Sequence, residues 1–178
     1  MLERVSIEAR ATLPEPDANV VRAALSQSLD YRSGLITDER DPRLLHTART
    51  IRILIADGAC RSADALAAAA FVDTVDRSLV PMPPVARLAA IVNAVPHPDA
   101  DDLLERIVTA DIDVGLITVA ERLDHARHLH LRDDLDRHSF HAAIRAVYAP
   151  GARRFSAQIA RRLERWADAF ERRLILPL

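Results

Sequence analysis

The chain has 178 residues, of which 49% are apolar and 28% are charged, a balance typical of a single globular domain. A formal net charge of -2 provides no general attraction to nucleic acid or to an anionic membrane surface. The single cysteine, Cys60, excludes an intramolecular disulfide. We therefore expect no nucleic-acid partner and no disulfide framework.

The sequence favours helices and a cytoplasmic location. Only 4 glycines and 4% aromatic residues are present, while alanine and leucine are abundant, a composition that favours helices over a β-sandwich or barrel. No apolar run reaches the roughly 18 residues that a membrane span needs, and the N-terminus lacks a signal-peptide core. We expect a cytoplasmic protein that does not associate with membranes.

The chain begins with a weakly patterned segment. Residues 1–16 are predicted to form an N-terminal arm, either loose or folded as a short extra helix, ahead of a helical domain over 17–178. Asp17 is expected to cap a helix that runs to about residue 29. The polar, glycine-containing segment 31–40 is predicted to be a loop.

Two capped helices are predicted next. Asp41 and Pro42 form a favourable helix start, with an acidic N-cap and proline at the first helical position. Gly58 is expected to end this helix in the left-handed conformation that favours glycine. Ser62 is expected to cap an alanine-rich helix that reaches about residue 77.

Prolines and acidic residues divide the second half of the chain. After a proline-rich break, helices are predicted over about 85–95, from residue 97 onward, over 111–131, from Ser139 to about 151, and over 154–174. The last helix is amphipathic, with Ile159, Leu163, Trp166 and Phe170 on one side. No segment has the pattern of a β-strand, so the predicted fold is an all-α, single-domain helical bundle.

Two ionisable residues in the first half stand out. His46 lies opposite the apolar stripe of its predicted helix, at about 100° per residue, a position that fits an exposed or capping histidine as well as a functional one. Asp73 follows an alanine-rich run and Phe71. Burying a carboxylate among apolar residues costs free energy unless the carboxylate is paired with a cation or bound to a metal.

A third group lies on the predicted helix over 111–131. Glu121, Asp124, His125 and His128 share one face through i, i+3, i+4 and i+7 spacing. Two acids and two histidines on a helix face also describe an ordinary solvated surface, and the pattern alone leaves both interpretations open.

Three segments, 45–48, 70–76 and 119–127, resemble in order and context the hydrolase domain of the RelA/SpoT alarmone enzymes, a branch of the HD superfamily. The resemblance covers roughly residues 20–176, and its most specific parts are 70–76 and 112–129. It implies an HD-domain-like helical bundle similar to small, stand-alone alarmone hydrolases.

The resemblance also implies a metal site with altered ligands. Mn²⁺ or a similar divalent cation, if any is bound, would be held by His46, Asp73 and Glu121. The family has a histidine where Val72 stands, and an aspartate where Glu121 stands, so one ligand is lost and another is a methylene longer. His125 and His128 are candidate replacements for the lost ligand.

The catalytic acids of the family are changed as well. Asp76 and Arg77 fall on the two acids that orient the attacking water, so they are the candidate catalytic residues. Arg77 reverses the charge of the second acid, which disfavours a general base at that position. Arg77 could instead grip phosphate oxygens.

The candidate substrate-binding residues are Arg32, His125 and His128. Arg32 matches the family's arginine that stacks on a guanine base, and His125 matches an asparagine that contacts the nucleotide. A guanosine nucleotide such as (p)ppGpp is therefore the expected small-molecule partner. The bulky stripe of the last helix is also a candidate homo-oligomer contact.

Three functional hypotheses follow. The first is a degenerate small alarmone hydrolase, impaired or inactive in (p)ppGpp hydrolysis, that acts as a nucleotide-binding or interaction protein. The second is an active metal-dependent 3′-pyrophosphohydrolase of (p)ppGpp or a related nucleotide, in which a bound metal activates water. The third is a purely structural interaction module that uses the arginine-rich last helix.

Overall fold

The computed structural model describes residues 1–132 and 135–175, and all regular structure in these ranges is helical. The α-helices are α1 Leu2–Arg10, α2 Glu15–Leu35, α3 His46–Ala56, α4 Ala63–Ala69, α5 Ala86–Ala94, α6 Leu103–Thr109, α7 Ile112–His128, α8 Arg137–Ala143, α9 Ala149–Ala152 and α10 Ala157–Ile175. Short 3₁₀ helices occupy Arg77–Leu79 and Leu129–Leu131, and a π-helical turn, Ile144–Tyr148, joins α8 to α9. The predicted all-α fold is confirmed; the predicted domain end at 176–178 lies outside the described residues.

Helix α7 is the centre of the bundle. Every residue from Val114 to Ala126 is buried, because α3 packs along one side of the helix while α4, α5, α9 and α10 cover others. Apart from Thr118, residues 114–120 are apolar all round, as expected of a helix segment with no solvent-facing side. The charged residues of its second half are nevertheless buried with it. In the described ranges, no helix is both long and apolar enough to cross a membrane.

The N-terminal arm is the extra helix of the two predicted alternatives. Helix α1 packs against α2 and α3, with Val5 and Ala9 fully buried in the core. An ion pair of 2.9 Å between Arg52 Nε and Glu8 Oε2 also joins α3 to α1. Residues 2–10 therefore share the hydrophobic core of the domain.

The predicted loop over 31–40 is wrong in its first half, because α2 continues to Leu35. The Arg32 side chain turns inward from this last part of the helix and is completely buried. Its two hydrogen-bonding partners lie on later segments of the chain. The contacts of Arg32 with these later segments therefore extend the helix into a stretch whose polar sequence predicts a loop.

The next helix begins later than its sequence signals predict. Asp41 accepts a hydrogen bond from the Arg43 backbone N–H at 2.8 Å, which closes a turn, and α3 starts at His46. The prediction that Gly58 is left-handed is wrong, because Ala59 takes that conformation, with φ of 49°. Gly58 serves a different purpose: a Cβ there would lie 2.7 Å from the Leu54 carbonyl oxygen.

The alanine-rich helix has its predicted cap but ends early. Ser62 Oγ accepts a hydrogen bond from the Ala65 backbone N–H at 3.1 Å, so the Ser62 cap is confirmed. Helix α4 ends at Ala69 instead of near residue 77. The Asp73 carboxylate accepts the backbone N–H of Asp76 at 2.8 Å and thereby stabilises a turn in place of a helix.

In the second half of the chain, two helix starts and one N-cap differ from the predictions. The helix predicted from residue 97 begins at Leu103, and the predicted Ser139 cap is wrong, because Asp136 accepts the His138 backbone N–H at 3.0 Å and caps α8. Helix α10 starts at Ala157, slightly later than predicted. Its apolar stripe is confirmed by Ile159 and Leu163, which are fully buried.

Gly115 allows α7 to approach the segment before α10. A Cβ at this position would collide with the Phe155 ring. Gly34 near the end of α2 offers a matched comparison, because nothing lies within 4 Å of the position its Cβ would take. Both glycines are helical, so alanine removes the same backbone entropy cost at each.

We expect Gly115→Ala to lower the free energy of unfolding by about 1–3 kcal/mol, since the Phe155 ring must move out of its packing position. Gly34→Ala should raise it by up to about 1 kcal/mol. Urea unfolding followed by circular dichroism measures both changes. Equal effects of the two substitutions would contradict the close packing at Gly115.

Candidate metal centre

Four buried side chains meet between α3 and α7. His46 is the first residue of α3, Asp73 lies in the turn after α4, and Glu121 and His125 lie one turn apart on α7. One ligand atom from each lies within 4.8 Å of the ligand atoms of the other three. We call these residues the four-residue cluster. The structure thus brings together all three predicted metal ligands with His125, one of the two candidate replacements, while His128 lies outside the cluster.

The nitrogen atoms of the cluster face the carboxylates. His125 Nε2 lies 3.0 Å from Glu121 Oε1 and 3.5 Å from Asp73 Oδ1. These distances are within ion-pair range, but the directions do not satisfy hydrogen-bond geometry, and His46 Nε2 also has no hydrogen-bond partner. The two imidazole rings stack, with centroids 4.3 Å apart. Buried ring nitrogens without hydrogen bonds, next to carboxylates, are the arrangement that a cation would satisfy.

Asp124 orients His46. The His46 Nδ1–H donates to Asp124 Oδ2 at 2.9 Å, so in the neutral ring Nε2 is unprotonated and directed into the cluster. Arg49 donates to both oxygens of the same carboxylate at 2.8 Å. A histidine ligand held by a carboxylate in this way has a fixed tautomer and ring orientation.

The two carboxylates of the cluster are also held in place. Arg32 donates to Asp73 Oδ2 at 2.9 Å and to the Arg43 carbonyl at 2.6 Å. Glu121 Oε1 accepts hydrogen bonds from the Thr74 backbone N–H at 3.0 Å and from its hydroxyl at 2.7 Å. The extra methylene of glutamate therefore allows Glu121 to reach the turn that carries Asp73.

The charges around the cluster keep its acids ionised. Burial tends to raise the pKa of Glu121, but His125 and Arg122 outweigh it and lower that pKa to about 2. The pKa of Asp73 is likewise held well below its usual range, because His46, His125 and Arg32 outweigh burial. His46 and Arg49 have the same effect on the pKa of Asp124.

His125 is affected in the opposite direction. Burial disfavours its charged form, yet the Glu121 and Asp73 carboxylates raise the pKa of His125 to about 9. In the metal-free protein, a proton on His125 therefore supplies positive charge between two buried acids.

Access to the cluster differs on its two sides. On the histidine side, a cavity of about 10 Å³ lies among His46, Asp124 and His125, too small for a substrate. On the other side, a cavity of about 200 Å³ is lined by Asp73 and by the exposed Arg77. Among the residues that the structure describes, the cavity on the histidine side is too small to admit a ligand, and the larger cavity reaches the cluster at Asp73.

The predicted substrate contacts lie in unexpected places. Arg32 is completely buried and paired with Asp73, so in this structure it offers no face to a base. His125 belongs to the cluster. His128 is partly exposed and donates from Nδ1 to the Asp124 carbonyl at 2.8 Å. The solvated-surface interpretation of this α7 face is therefore wrong for all but His128.

The predicted catalytic residues lie next to each other but face different surroundings. Asp76 Oδ2 is 2.8 Å from Arg132 Nη1, so this carboxylate is already engaged by a cation. Arg77 lies on the 3₁₀ helix and is exposed. Arg77 thus reverses the charge at one catalytic position, and the ion pair with Arg132 occupies the acid at the other.

Sequence reasoning missed Arg49 and Thr74 as supports of the site. Arg49 could have been found, because it lies three residues after His46 and hence on the same helix face. Thr74 carried no comparable signal, because its contact with Glu121 depends on how the turn after α4 docks on α7.

Comparison with known proteins adds no identification. No protein-family model matches the chain, and comparison with curated proteins and with solved structures returns no match. The functional argument therefore depends on the geometry of the site and on the resemblance of its motifs.

The raised pKa of His125 predicts a pH-dependent stability in protein stripped of metal with a chelator. A pKa raised on folding contributes stability that is fully present below the unfolded value of about 6.5 and is lost as pH rises through about 9. The free energy of unfolding should fall by an amount on the order of 3 kcal/mol across this window. Urea unfolding at several pH values measures the fall, and His125→Asn should remove most of it. A wild-type profile that is flat between these values would contradict the assignment.

Proposed function

We propose that the chain is a degenerate relative of the alarmone hydrolases that binds a divalent cation, Mn²⁺ or a similar ion, and has lost efficient hydrolysis. The observation that carries this proposal is the buried four-residue cluster of His46, Asp73, Glu121 and His125. Two imidazoles and two carboxylates form a donor set suited to first-row divalent metals. The remaining activity of such a protein would be binding, with a nucleotide as the proposed small-molecule ligand.

His125 compensates for the ligand absent at residue 72. Val72 carries no donor atom, whereas His125 lies one helical turn after Glu121 and places its Nε2 near both carboxylates. The hydrogen bond from His46 to Asp124 leaves His46 Nε2 free to coordinate. Arg32 binds Oδ2 of Asp73, so Oδ1 is the oxygen on the His125 side. These features support a cation site that differs from the family pattern in one ligand.

The surroundings support impaired turnover. A catalytic metal keeps an open coordination position, whereas a closed site is typical of a structural metal. All four members of the cluster are at most 5% exposed. Asp76 is paired with Arg132, and Arg77 supplies a cation where a water-orienting acid would be needed. A bound cation would lower the pKa of a coordinated water and polarise a phosphate, but Asp76, the acid that remains at the predicted catalytic positions, is already paired with Arg132.

An active phosphohydrolase is the second candidate, and one observation favours it. The cavity of about 200 Å³ reaches Asp73 and contains the exposed Arg77, so a phosphate could approach the cluster from that side. Arg77 would then neutralise phosphate charge instead of holding water. The two candidates share the metal and differ only in turnover.

We expect purified protein to contain about one equivalent of divalent metal by plasma mass spectrometry, and added Mn²⁺ to raise the melting temperature of metal-free protein. His46→Gln and His125→Ala should abolish both effects. His130→Ala is the matched control, because His130 is exposed and lies outside the cluster. Metal binding that survives both cluster variants would refute the site.

Turnover separates the two candidates. With Mn²⁺ present, we expect release of pyrophosphate from ppGpp to be slow in the wild type and faster in Arg77→Asp, since that substitution restores an exposed carboxylate at the position of the water-orienting acid. Multiple turnovers that disappear in His46→Gln would instead establish the phosphohydrolase. Chromatographic separation of the nucleotide products measures both cases.

A further inference from the structure

A cavity separate from the four-residue cluster lies between the end of α7, the start of α8 and α10. Its volume is about 980 Å³, which lies within the roughly 300–1,000 Å³ of small-molecule sites. The buried Ala126 and Leu129 line it where α7 ends, and the half-buried Trp166 and Phe170 line it from α10. We call it the α10 cavity. A concave site of this size with apolar walls is suited to a small ligand.

The wall that α10 provides is aromatic. Trp166 and Phe170 lie one helical turn apart, and their rings stack with centroids 5.4 Å apart and planes 24° from parallel. Both side chains are only half-buried, so part of each ring surface is left uncovered by the described chain. Aromatic rings gain attraction from a further ring, stacked or edge-on, beyond what area burial alone gives. The wall therefore favours an aromatic ligand.

A cation lies one turn beyond this wall. Arg173 follows Phe170 by three residues, which places it about 4.5 Å further along the helix axis on the same face. Its side chain is exposed and lines the cavity. Among residues 1–132 and 135–175 its guanidinium has no hydrogen bond or ion pair. Arg173 can therefore bind a carboxylate, whose two oxygens match paired guanidinium N–H groups, without first breaking an ion pair.

Arg127 adds positive charge from the α7 side of the cavity. Its Nη2 lies 3.6 Å from Asp57 Oδ2, while Arg162 Nη2 lies 3.1 Å from the other oxygen of that carboxylate. Two guanidiniums thus share one acid, and burial together with Arg162 lowers the pKa of Arg127. Asp136, the acid among the described lining residues, accepts the His138 backbone N–H at 3.0 Å and caps α8. The lining is therefore complementary to an anion.

We propose that the α10 cavity binds an aromatic carboxylate. The ring lies against Trp166 and Phe170, and the carboxylate pairs with Arg173. In an arylacetate the carboxylate is joined to the ring by one methylene, a separation comparable to one helical turn, so both groups reach their partners at once. This binding activity goes beyond the proposed function and does not depend on it, because no member of the four-residue cluster lines the cavity.

The test is titration of the isotope-labelled full chain with naphthylacetate, followed by NMR through the indole N–H signal of Trp166. Trp166 is the only tryptophan in the sequence, so this signal reports on the α10 cavity alone. We expect a saturable shift with half-saturation below about 1 mM. Naphthylacetamide keeps the rings but lacks the charge, and it should bind about fivefold more weakly or worse.

Substitution of the arginine tests the carboxylate contact. We expect Arg173→Ala to weaken binding of naphthylacetate about fivefold or more, and Arg173→Lys to weaken it less, since lysine keeps the charge but loses the paired donors. Arg172→Ala is the matched control, because Arg172 is the exposed neighbour of Arg173 on α10 and does not line the cavity. Both arginines are exposed, so the substitutions should leave the fold intact.

The outcomes also separate this inference from the metal proposal. The absence of a saturable shift, equal binding of the acid and the amide, or equal binding by Arg173→Ala and the wild type overturns it. A Trp166 signal that moves on dilution of the protein but ignores naphthylacetate also overturns it, and assigns the cavity to a second copy of the chain. His46→Gln should bind naphthylacetate as the wild type does, because His46 does not line the cavity.

Discussion

The structure depends on keeping three carboxylates, Asp73, Glu121 and Asp124, ionised inside a helical core. Removing such charges from water costs several kcal/mol each unless partners restore the lost solvation. Arg32 from α2 pairs with Asp73, Arg49 from α3 pairs with Asp124, and the histidines lie between the acids. These pairings tie α2, α3, α7 and the turn after α4 to one another. Loss of one partner would leave a buried charge without compensation.

This constraint explains why α2 and α4 end at residues other than those that their local sequence predicts. Alanine-rich sequence favours continuing α4, but the chain turns after Ala69, which allows Asp73 and Thr74 to meet Arg32 and Glu121. Polar sequence favours ending α2 early, but the helix continues far enough to direct Arg32 inward. Breaking a buried ion pair costs about 3–5 kcal/mol, which outweighs helix-propensity differences of up to about 0.7 kcal/mol per ordinary residue.

The same buried charges bear on the proposed function. A dication in the cluster would take the place of positive charge that a proton on His125 supplies in the metal-free protein. The hydrogen bonds that fix His46 and Glu121 favour tight binding of a cation. The deep burial of the cluster hinders the exchange of substrate and product. Binding and turnover therefore make opposite demands on this site. The cavity of about 200 Å³ lies on the Asp73 side of the cluster, away from the His46 side.

Sequence alone determined the helical class, the Ser62 cap, α5 and the amphipathic α10, and it selected His46, Asp73 and Glu121 as candidate ligands, which the structure places in one cluster. These follow from composition, short-range periodicity and motif order, all of which act over a few residues. It did not determine the burial of Arg32, its pairing with Asp73, or the hydrogen bond that joins His46 to Asp124. Those features depend on contacts between residues 41 to 78 positions apart and on the packing of α3 against α7, so only the tertiary structure decided them.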